Sequence, residues 1–596
     1  MRSRPSLAAL GALLVATLSV AGCVSMPSGG PVQSYPVTQG PDTQNQPYVQ
    51  IVPQPPGAGW SPTEIVQGFL TASASIGANG AVAQQYLTSQ GRKHWAPAWS
   101  AVVYKEGPDV TGAIYPLSST AKNATTATVQ ITGSRQAILK GYGSYSLPSS
   151  STPDQSYDPQ PVFHLVKVAS GQWRISDAPN ELLLTSDSFK NDYQLQNLYF
   201  FDPLYRFLVP DPIYVPVQAK PGDLMNGLVS DLITPLKDWL SAGATKTALP
   251  PGTKISDVTL DGVTAVVNLT GTITKASNNV MQLVSAQLLW TLAGPAQSGA
   301  TGQTVQSVEV EVNGKPWTPL DSQGNPVQLP SKKRLPLGES QEFYYVDGAG
   351  NLTGRVGPAG KPVSIAKIGT GFTQIAVSPD GTYLAALRGS TLYTGLVGGT
   401  LAKRGTGYVA MSWDVNNDLW ASAGSQIVVF RTAPSGRQPL GQKAVVDVEY
   451  ANVKNLSIPF TALRVAPDGV RVAIVVDGTE LTFGAISGQQ GPSPQITLSS
   501  VQVSPVSPAN TFTGLAWYGP DNVITLAGPG SAVTEYPVSG GTPTPITPDS
   551  RIQTIAASSG QSLIVGLPKG QMMYDASLTG SWISIIGAGS APTYPG

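Results

Sequence analysis

The chain carries IAVSPDGTYLAAL at residues 375–387 and repeats the same pattern as LRVAPDGVRVAIV at residues 463–475. In both copies a Pro-Asp-Gly sequence separates two apolar runs, a pattern typical of two strands joined by a tight turn. The aspartate accepts hydrogen bonds from its own turn, and glycine adopts a positive φ at little steric cost. The sequence therefore predicts two β-hairpins. We interpret their aspartates as turn residues and not as calcium ligands or catalytic groups.

Weaker copies of this hairpin lie at Met411–Trp420, Leu515–Asp521 and Ile555–Val565. Hairpins that recur at irregular intervals of ~35–55 residues resemble the blades of a TolB-type β-propeller. At ~45 residues per blade, residues 334–596 hold five or six blades, and we favour six. The Ser-x-Asp-x-Gly-x-Thr-Trp box of sialidases is absent from the sequence.

Residues 196–325 precede the propeller and predict a second, α+β domain. Two strand-like runs, 205–209 and 213–217, lie among prolines, which favours edge positions because proline lacks a backbone N–H. A helical stripe of apolar residues then predicts a helix that packs on one face. Its members are Leu224, Leu228, Val229 and Leu232.

The rest of this domain follows the same α+β pattern. Asp261-Gly262 predicts a two-residue hairpin turn. A helix is predicted from about Asn279 to Leu292, with Asn278 as its N-cap. The valines at 308, 310 and 312 then alternate with Glu309 and Glu311, so that strand has one buried face and one solvated face.

The order helix, hairpin, helix and strand resembles the GerMN domain of spore-germination and exported bacterial proteins. The sequences Pro250-Pro251-Gly252-Thr253 and Val312-Asn313-Gly314 carry that resemblance. It implies an interaction module without known catalytic chemistry.

Residues 60–190 predict an N-terminal α+β domain. Ser61-Pro62 is a helix-start signal, and a second helix is predicted from Gly80 to Leu87. Strands are predicted at 127–131, 162–168 and 173–175, with a turn at Ser170-Gly171. Helices followed by a curved antiparallel sheet resemble an NTF2-like cone.

Both histidines of the chain lie in this N-terminal domain. His164 alternates with valines, which indicates a hydrogen-bonded histidine on a partly covered strand face; the alternative is a base in a pocket. His94 lies beside Trp95 and Trp99 in a predicted loop. These tryptophans either plug a small core or form an aromatic binding surface.

The N-terminus has the layout of an export signal, with Arg2 and Arg4 before an apolar run that ends at Val20. Ala21-Gly22-Cys23 resembles a lipobox, which implies cleavage between Gly22 and Cys23, removal of residues 1–22, and an S-diacylglycerol and N-acyl group on Cys23. An ordinary cleaved signal and an uncleaved membrane helix are the alternatives. The apolar run is shorter than the ~20 residues of a spanning helix, and the only cysteine of the chain stands at this position.

Residues 23–59 are rich in proline, lack apolar periodicity and predict a tether without a packed core. If largely extended at ~3.1 Å per residue, the tether reaches up to about 100 Å from the bilayer.

Composition excludes several classes of protein. The net charge is zero and only 12% of residues are charged, which gives no basic footprint for nucleic acid. A single cysteine allows no internal disulfide and no thiolate metal site. No Gly-x-Ser-x-Gly elbow, Walker loop, His-Glu-x-x-His or Cys-x-x-Cys motif is present, so we predict no catalytic residues, no metal and no cofactor.

The lipobox, the tether opening at Cys23–Gln33, the GerMN-like domain and the TolB-like propeller together resemble the actinobacterial LpqB lipoprotein family. The resemblance implies a lipoprotein anchored on the extracytoplasmic face of the cell membrane. It also implies binding to the sensor region of the MtrB histidine kinase and modulation of MtrAB two-component signalling in cell-wall homeostasis and division.

Three hypotheses of function follow. The first is this accessory regulator of a membrane kinase. The second is a lipoprotein whose propeller binds a cell-wall glycan or muropeptide. The third is a surface glycoside hydrolase with paired carboxylates, which sequence spacing alone does not exclude. The sequence identifies no binding residues for any of the three.

Overall fold

The computed structural model describes residues 54–596 with internal gaps. The gaps are 75–80, 96–100, 106–112, 115–123, 141–143, 147–160, 218–220, 234–239, 241–242, 294–304, 319–341, 358–359, 433–439, 442, 451–452, 455–456, 490, 492–493, 504–510, 529–531, 542, 548–550, 560 and 576–581. Residues 1–22 and most of the predicted tether therefore lie outside the described part of the chain. Among the described residues, no helix is both long and apolar enough to cross a bilayer.

The N-terminal domain consists of short helices and two four-stranded sheets, ordered β5-β4-β1-β8 and β2-β3-β6-β7. Its helices are α1 (Pro62–Ala74), α2 (Ala81–Gln85), α3 (Ser89–His94) and α4 (Ser186–Asp192). Its strands are β1 (Ala101–Tyr104), β2 (Ala113–Ile114), β3 (Thr126–Gln130), β4 (Arg135–Lys140), β5 (Ser144–Ser146), β6 (Val162–Lys167), β7 (Trp173–Asp177) and β8 (Leu182–Thr185).

Helix α1 begins where the sequence predicts. The Ser61 backbone N–H donates to the Glu64 carboxylate at 2.7 Å, and the Glu64 N–H lies 3.4 Å from Ser61 Oγ, which is a capping box. Its apolar side, including Ile65, Val66 and Phe69, is buried against the sheets. The predicted start of α1 and the three predicted strands are confirmed, and the predicted second helix is present as α2 but ends at Gln85 and not at Leu87, which forms a bridge with Ile175. The NTF2-like assignment stays a prediction.

The second domain contains a two-stranded ribbon, a four-stranded sheet ordered β11-β12-β13-β14 and two helices. The ribbon is formed by β9 (Tyr193–Phe201) and β10 (Leu208–Pro216). The remaining elements are α5 (Pro221–Ile233), β11 (Thr253–Asp261), β12 (Thr264–Gly271), α6 (Asn278–Leu292), β13 (Ser307–Val312) and β14 (Lys315–Pro316), with a short 3₁₀ turn at Thr272–Lys275.

Most predictions for this domain are confirmed, and three local details are corrected. The N-cap of α6 is Ser277, whose hydroxyl accepts from the Val280 N–H, and not Asn278. Asp261 pairs with Thr264, so the turn residues of the hairpin are Gly262 and Val263. Residues 205–207 form the turn of the β9–β10 ribbon and not a strand, because Asp202 Oδ1 accepts their backbone N–H groups at Arg206 and Phe207.

The propeller has six four-stranded blades among the described residues, which confirms the favoured number. Blade 1 contains β15 (Glu342–Asp347), β16 (Asn351–Val356), β17 (Val363–Lys367) and β39 (Gly589–Thr593); blade 2 contains β18 (Gln374–Val377), β19 (Tyr383–Arg388), β20 (Thr391–Leu396) and β21 (Ala402–Thr406); blade 3 contains β22 (Ala410–Trp413), β23 (Leu419–Ala423), β24 (Gln426–Phe430) and β25 (Lys443–Tyr450). A short strand, β26 (Val453–Lys454), pairs with β25. Blade 4 contains β27 (Phe460–Val465), β28 (Arg471–Val476), β29 (Glu480–Ser487) and β30 (Gln495–Val503); blade 5 contains β31 (Gly514–Trp517), β32 (Asn522–Leu526), β33 (Val533–Pro537) and β34 (Thr544–Pro545); blade 6 contains β35 (Thr554–Ala556), β36 (Ile564–Gly566), β37 (Met572–Asp575) and β38 (Trp582–Ile586).

Strand pairing closes the ring of blades. The last strand, β39, pairs with β15 of blade 1, so the C-terminal end of the propeller completes its first blade. Blades 3 and 4 are joined at their outer edges, because β25 pairs with β30 in parallel over Asp447–Glu449 and Gln495–Thr497. The ring is therefore held by strand pairing as well as by apolar packing between blades.

The two Pro-Asp-Gly turns have the predicted geometry. Gly381 and Gly469 have φ angles of +72° and +71°. Asp380 Oδ1 accepts from the Thr382 N–H, and Asp468 Oδ1 accepts from the Val470 and Arg471 N–H groups. Both aspartates thus stabilise their own turns through hydrogen bonds.

Substitution of these two glycines tests how tightly neighbouring blades pack. A Cβ at residue 469 would lie 2.5 Å from Cγ1 of Val415 in blade 3, whereas a Cβ at residue 381 meets no atom within 4 Å. Both Gly→Ala changes carry the cost of a positive φ, roughly 1 kcal/mol. We expect Gly469→Ala to lower the free energy of unfolding by about 1–3 kcal/mol more than Gly381→Ala, because β-branched Val415 cannot easily move. Thermal unfolding of both variants measures the difference, and equal melting temperatures would contradict tight packing of blade 3 on blade 4.

Candidate functional site

Among the described residues of the N-terminal domain, the structure does not bring His164 together with His94 and Trp95 in one site. Gly22, Cys23 and Trp99 are outside the described residues, so lipidation stays a prediction. His94 ends helix α3 and does not lie in a loop. The ring centroid of Trp95 lies 5.1 Å from that of Phe69, so Trp95 packs against the domain core, which favours the plug over the binding surface.

His164 is exposed on β6, between the buried residues Phe163 and Leu165. Its Nδ1 lies 3.5 Å from Thr128 Oγ1 on the neighbouring strand. His164 is therefore a surface residue and not a base in a pocket, and it is more exposed than the partly covered face that the sequence predicts. Glu309 is exposed and Glu311 half-buried on β13, while Val308 and Val310 are buried, as the alternation predicts.

The structure instead brings together residues at the end of the propeller where the first strand of each blade turns into the second. We call β9 and β10 the docking hairpin, because they pack on the turns of blades 3, 4 and 5. Arg206 Nη1 donates to Asn416 Oδ1 of blade 3 at 2.9 Å. Asn197 Nδ2 donates to Asp521 Oδ2 of blade 5.

A buried ion-pair network lies beneath the docking hairpin. Arg471 is 2% exposed, its Nε donates to Asp468 Oδ2 at 2.7 Å, and its Nη1 lies 3.8 Å from Asp521 Oδ1. The guanidinium carbon lies 5.2 Å from the ring centroid of Trp517. Burial raises the pKa of Asp521, and the charge of Arg471 acts in the opposite direction. The arginine thus offsets part of the cost of burying two carboxylates where the two domains meet.

Apolar and aromatic contacts complete this interface. Val209 of the docking hairpin forms a buried cluster with Val470 and Ala485 of blade 4, together with Leu240 and Ala244. Elsewhere, the Tyr214 hydroxyl donates to the Gly540 carbonyl of blade 5 at 2.5 Å.

All three folded domains meet at that blade 5 loop. Tyr145 of the N-terminal domain packs beside Tyr214, with the ring centroids 5.7 Å apart and the ring planes tilted by 47°. A Cβ at Gly540 would lie 2.3 Å from Cδ1 of Tyr145, so only glycine fits this close approach.

The central channel of the propeller contains a cavity at the same end, with a volume of about 210 Å³. It is lined by residues of the inner strands and the turns that follow them. Most lining residues are apolar, for example Val465, Leu515 and Ile555; the charged side chains are Asp414 and Arg464, and the last residue, Gly596, also lines the cavity.

Both carboxylate oxygens of Asp414 accept hydrogen bonds from its own blade. Its Oδ1 accepts from the Asn416 and Asp418 N–H groups at 2.8 and 3.0 Å, and its Oδ2 accepts from Trp420 Nε1 at 2.9 Å. Burial, and then the charge of Asp418, raise the pKa of Asp414 to about 6. Among the described residues that line the cavity it is the only carboxylate side chain, so this site lacks the paired acids of a glycoside hydrolase.

Arg464 projects from β27 of blade 4 into the channel lining. Its Nη1 donates to the carbonyls of Met411 and Leu463 at 2.6 and 2.9 Å. Burial lowers its pKa to about 10, so the guanidinium remains charged at neutral pH. In the described part of the chain no carboxylate forms an ion pair with it.

Within the described residues, no group of three His, Cys, Asp or Glu side chains is placed to hold a metal ion. Sequence analysis missed Arg464 and Arg471, because both look like ordinary strand residues beside a Pro-Asp-Gly turn. The one local signal that could have indicated them is an arginine within an otherwise apolar strand of a repeated hairpin.

Three stretches of the chain match known families. Residues 55–190 match "Lipoprotein LpqB, N-terminal domain", and residues 350–595 match "Lipoprotein LpqB beta-propeller domain". Residues 197–318 match the family Germane, described as "Sporulation and spore germination".

Similar proteins cover nearly the whole length of the chain. Lipoprotein LpqB of Streptomyces avermitilis is 28% identical, and the alignment covers 96% of each chain. Lipoprotein LpqB of Mycobacterium tuberculosis is 26% identical, with 98% of each chain covered. Among solved structures, virginiamycin B lyase of Staphylococcus aureus covers 43% of this chain and 81% of its own, at 14% identity and a TM-score of 0.28. That score is too low to support any argument from the lyase.

Loss of Arg471 is expected to weaken the attachment of the docking hairpin to the propeller. Arg471→Met leaves Asp468 and Asp521 buried without their cation, a change that costs about 3–5 kcal/mol when a buried pair loses one partner. We expect a lower melting temperature and faster amide hydrogen exchange in residues 193–216.

The matched control is Arg206→Met, which removes an arginine 38% exposed at its side chain from its pair with Asp202 and from its exposed hydrogen bond to Asn416 of blade 3. An exposed pair contributes at most about 1 kcal/mol. Equal effects of the two substitutions would show that the buried network does not hold the interface.

Proposed function

The chain belongs to the LpqB lipoprotein family, and from this membership we propose that it is a lipid-anchored accessory protein of a sensor histidine kinase. In this proposal Cys23 carries the lipid after removal of residues 1–22, and the folded domains work on the extracytoplasmic face of the cell membrane. They bind the sensor region of the MtrB kinase and modulate MtrAB signalling in cell-wall homeostasis and division. The observation that carries the proposal is the similarity to lipoproteins LpqB over 96–98% of the chain.

The predicted tether supports a contact at a distance from the bilayer. Residues 23–59 are proline-rich and link Cys23 to helix α1. A tether of this length lets the folded domains reach an extracytoplasmic kinase domain while the lipid keeps both proteins on one membrane. Tethering raises the effective concentration of one partner near the other, so a weak contact is sufficient.

The arrangement of the domains also supports an interaction function. The GerMN-type domain and the N-terminal domain are fixed to the propeller through Asp521, Val470 and Gly540, which presents three modules as one surface. A rigid surface loses little conformational entropy on binding. Among the described residues of the channel lining, Asp414 is the one carboxylate side chain, and both of its oxygens already accept hydrogen bonds. The hydrolase hypothesis, which requires two acids, gains no support from this site.

Crosslinking in intact membranes tests this proposal. Cells that produce the wild-type protein or Cys23→Ala are treated with a short amine-reactive crosslinker, and captured proteins are identified by mass spectrometry. We expect wild type to capture a sensor histidine kinase, and Cys23→Ala to capture it several-fold less because the lipid anchor is lost.

Two controls make the result specific. Ser25→Ala changes a neighbouring residue of the tether and leaves the lipobox intact, so it is expected to capture as much kinase as wild type. Kinase autophosphorylation is measured in the same membranes with and without the lipoprotein. Capture of cell-wall material alone, or kinase activity that does not respond to the lipoprotein, would contradict the proposal.

A further inference from the structure

The guanidinium of Arg464 is the one charged side chain of the channel lining whose hydrogen-bonding capacity is only partly used in the described structure; the last residue, Gly596, also lines the channel, and no ion pair joins the two. Nη1 donates to two backbone carbonyls, and both lie on one side of the group, at Met411 and Leu463. Among the described residues nothing accepts from Nε or Nη2. Arg464 is half-buried and has no carboxylate within ion-pair distance in the described structure, so its place in a mostly apolar channel calls for an explanation.

Tryptophans on the neighbouring inner strands also donate to a carbonyl of the preceding blade, so this hydrogen bond between blades does not require an arginine. Trp413 of blade 3 donates through Nε1 to the Ala376 carbonyl of blade 2 at 3.0 Å. Trp517 of blade 5 donates in the same way to the Arg464 carbonyl of blade 4 at 3.1 Å. Each tryptophan ties its blade to the preceding one with a single neutral N–H. Arg464 makes the equivalent tie to blade 3 and adds a positive charge and further donors.

Those remaining donors have a defined geometry. Nε and Nη2 lie on one edge of the planar guanidinium and present two N–H groups in parallel, which matches the two oxygens of a carboxylate or phosphate. The cavity volume of about 210 Å³ corresponds to roughly seven water molecules at ~30 Å³ each. Such a cavity accepts a small molecule.

The apolar walls of the cavity indicate the chemistry of the rest of the ligand, beyond the anionic group that Arg464 would bind. Val415, Val465, Leu515, Ile555 and Ala557 line the cavity and offer apolar contact. The two tryptophan N–H groups that line it are already engaged with backbone carbonyls, so they do not serve a neutral polar ligand. An inorganic ion would leave these apolar walls without contact, whereas an organic acid contacts both the walls and Arg464.

We propose that the central channel binds a small organic carboxylate, held by the free edge of the Arg464 guanidinium, with its apolar body between the walls of blades 3 to 6. The site opens at the end of the propeller to which the docking hairpin is attached, since Asp414 and Pro467 belong to the same set of turns as Asp468 and Asp521. A ligand there contacts the turns that support the domain interface. This inference does not depend on the proposed kinase partner.

Binding is measured on the full-length protein in detergent micelles by saturation-transfer NMR, with titration to a dissociation constant. The probe is N-acetylglycine, its neutral matched control is N-acetylglycinamide, and inorganic phosphate is the third ligand. We expect N-acetylglycine to bind at least tenfold more tightly than the amide and than phosphate. Arg464→Gln is expected to weaken binding of N-acetylglycine at least tenfold, because it removes the charge and the parallel donors.

Matched variants separate loss of the site from loss of the fold. Arg92→Gln removes an exposed arginine from helix α3 of the N-terminal domain and is expected to leave binding unchanged, which excludes a general effect of charge. Ala557→Leu fills the cavity while leaving both Nη1 hydrogen bonds of Arg464 in place, and is expected to abolish binding with little change in melting temperature.

Three outcomes would overturn the proposal. They are equal binding of the acid and its amide, tighter binding of phosphate than of N-acetylglycine, and undiminished binding by Ala557→Leu. Absence of any binding by the wild-type protein up to tens of millimolar probe would also overturn it, and Arg464 would then act only as a tie between blades 3 and 4.

Discussion

The burial of Arg471 between Asp468 and Asp521 is the interaction on which the arrangement of the folded domains depends. It joins the turns of blades 4 and 5, and Asn197 of the docking hairpin donates to the same Asp521 carboxylate. Two buried carboxylates with no cation would be costly, so each partner requires the others. The apolar cluster of Val209 with Val470 adds non-directional packing to this directional network. The described residues from 54 to 596 accordingly belong to one compact unit.

Two kinds of hydrogen bond recur in the propeller, one within the turns and one between neighbouring blades. In blades 2 and 4 an aspartate accepts the N–H groups of its turn, and a glycine of positive φ completes the reversal. Between blades, a side-chain N–H from an inner strand donates to a carbonyl of the preceding blade, as at Trp413, Arg464 and Trp517. These ties fix the width of the channel. The one that uses an arginine places a charge inside an otherwise mostly apolar lining, which is where we locate the ligand site.

Local signals predicted the elements well, and long-range contacts escaped them. Pro-Asp-Gly turns, the Ser61 cap and the alternating valines of β13 are encoded within a few residues, so the propeller hairpins, α1 and the half-buried strand followed from the sequence. The N-cap of α6 was placed one residue late because Ser277 and Asn278 are both good caps. The contact between Asn197 and Asp521 spans more than three hundred positions, and no local pattern of one sequence encodes it. Arg464 escaped for the same reason, since its partner Met411 lies in another blade.

The central claim is that the docking hairpin keeps the GerMN-type domain and the propeller in one fixed arrangement. Pulsed electron–electron double resonance measures this directly in a Cys23→Ser background, with spin labels at Val263→Cys and Ile583→Cys, which are 43% and 47% exposed. The account predicts a single narrow distance distribution that becomes broad when Arg471→Met is added. A broad distribution in the parent protein, or one that Arg471→Met leaves unchanged, would contradict it.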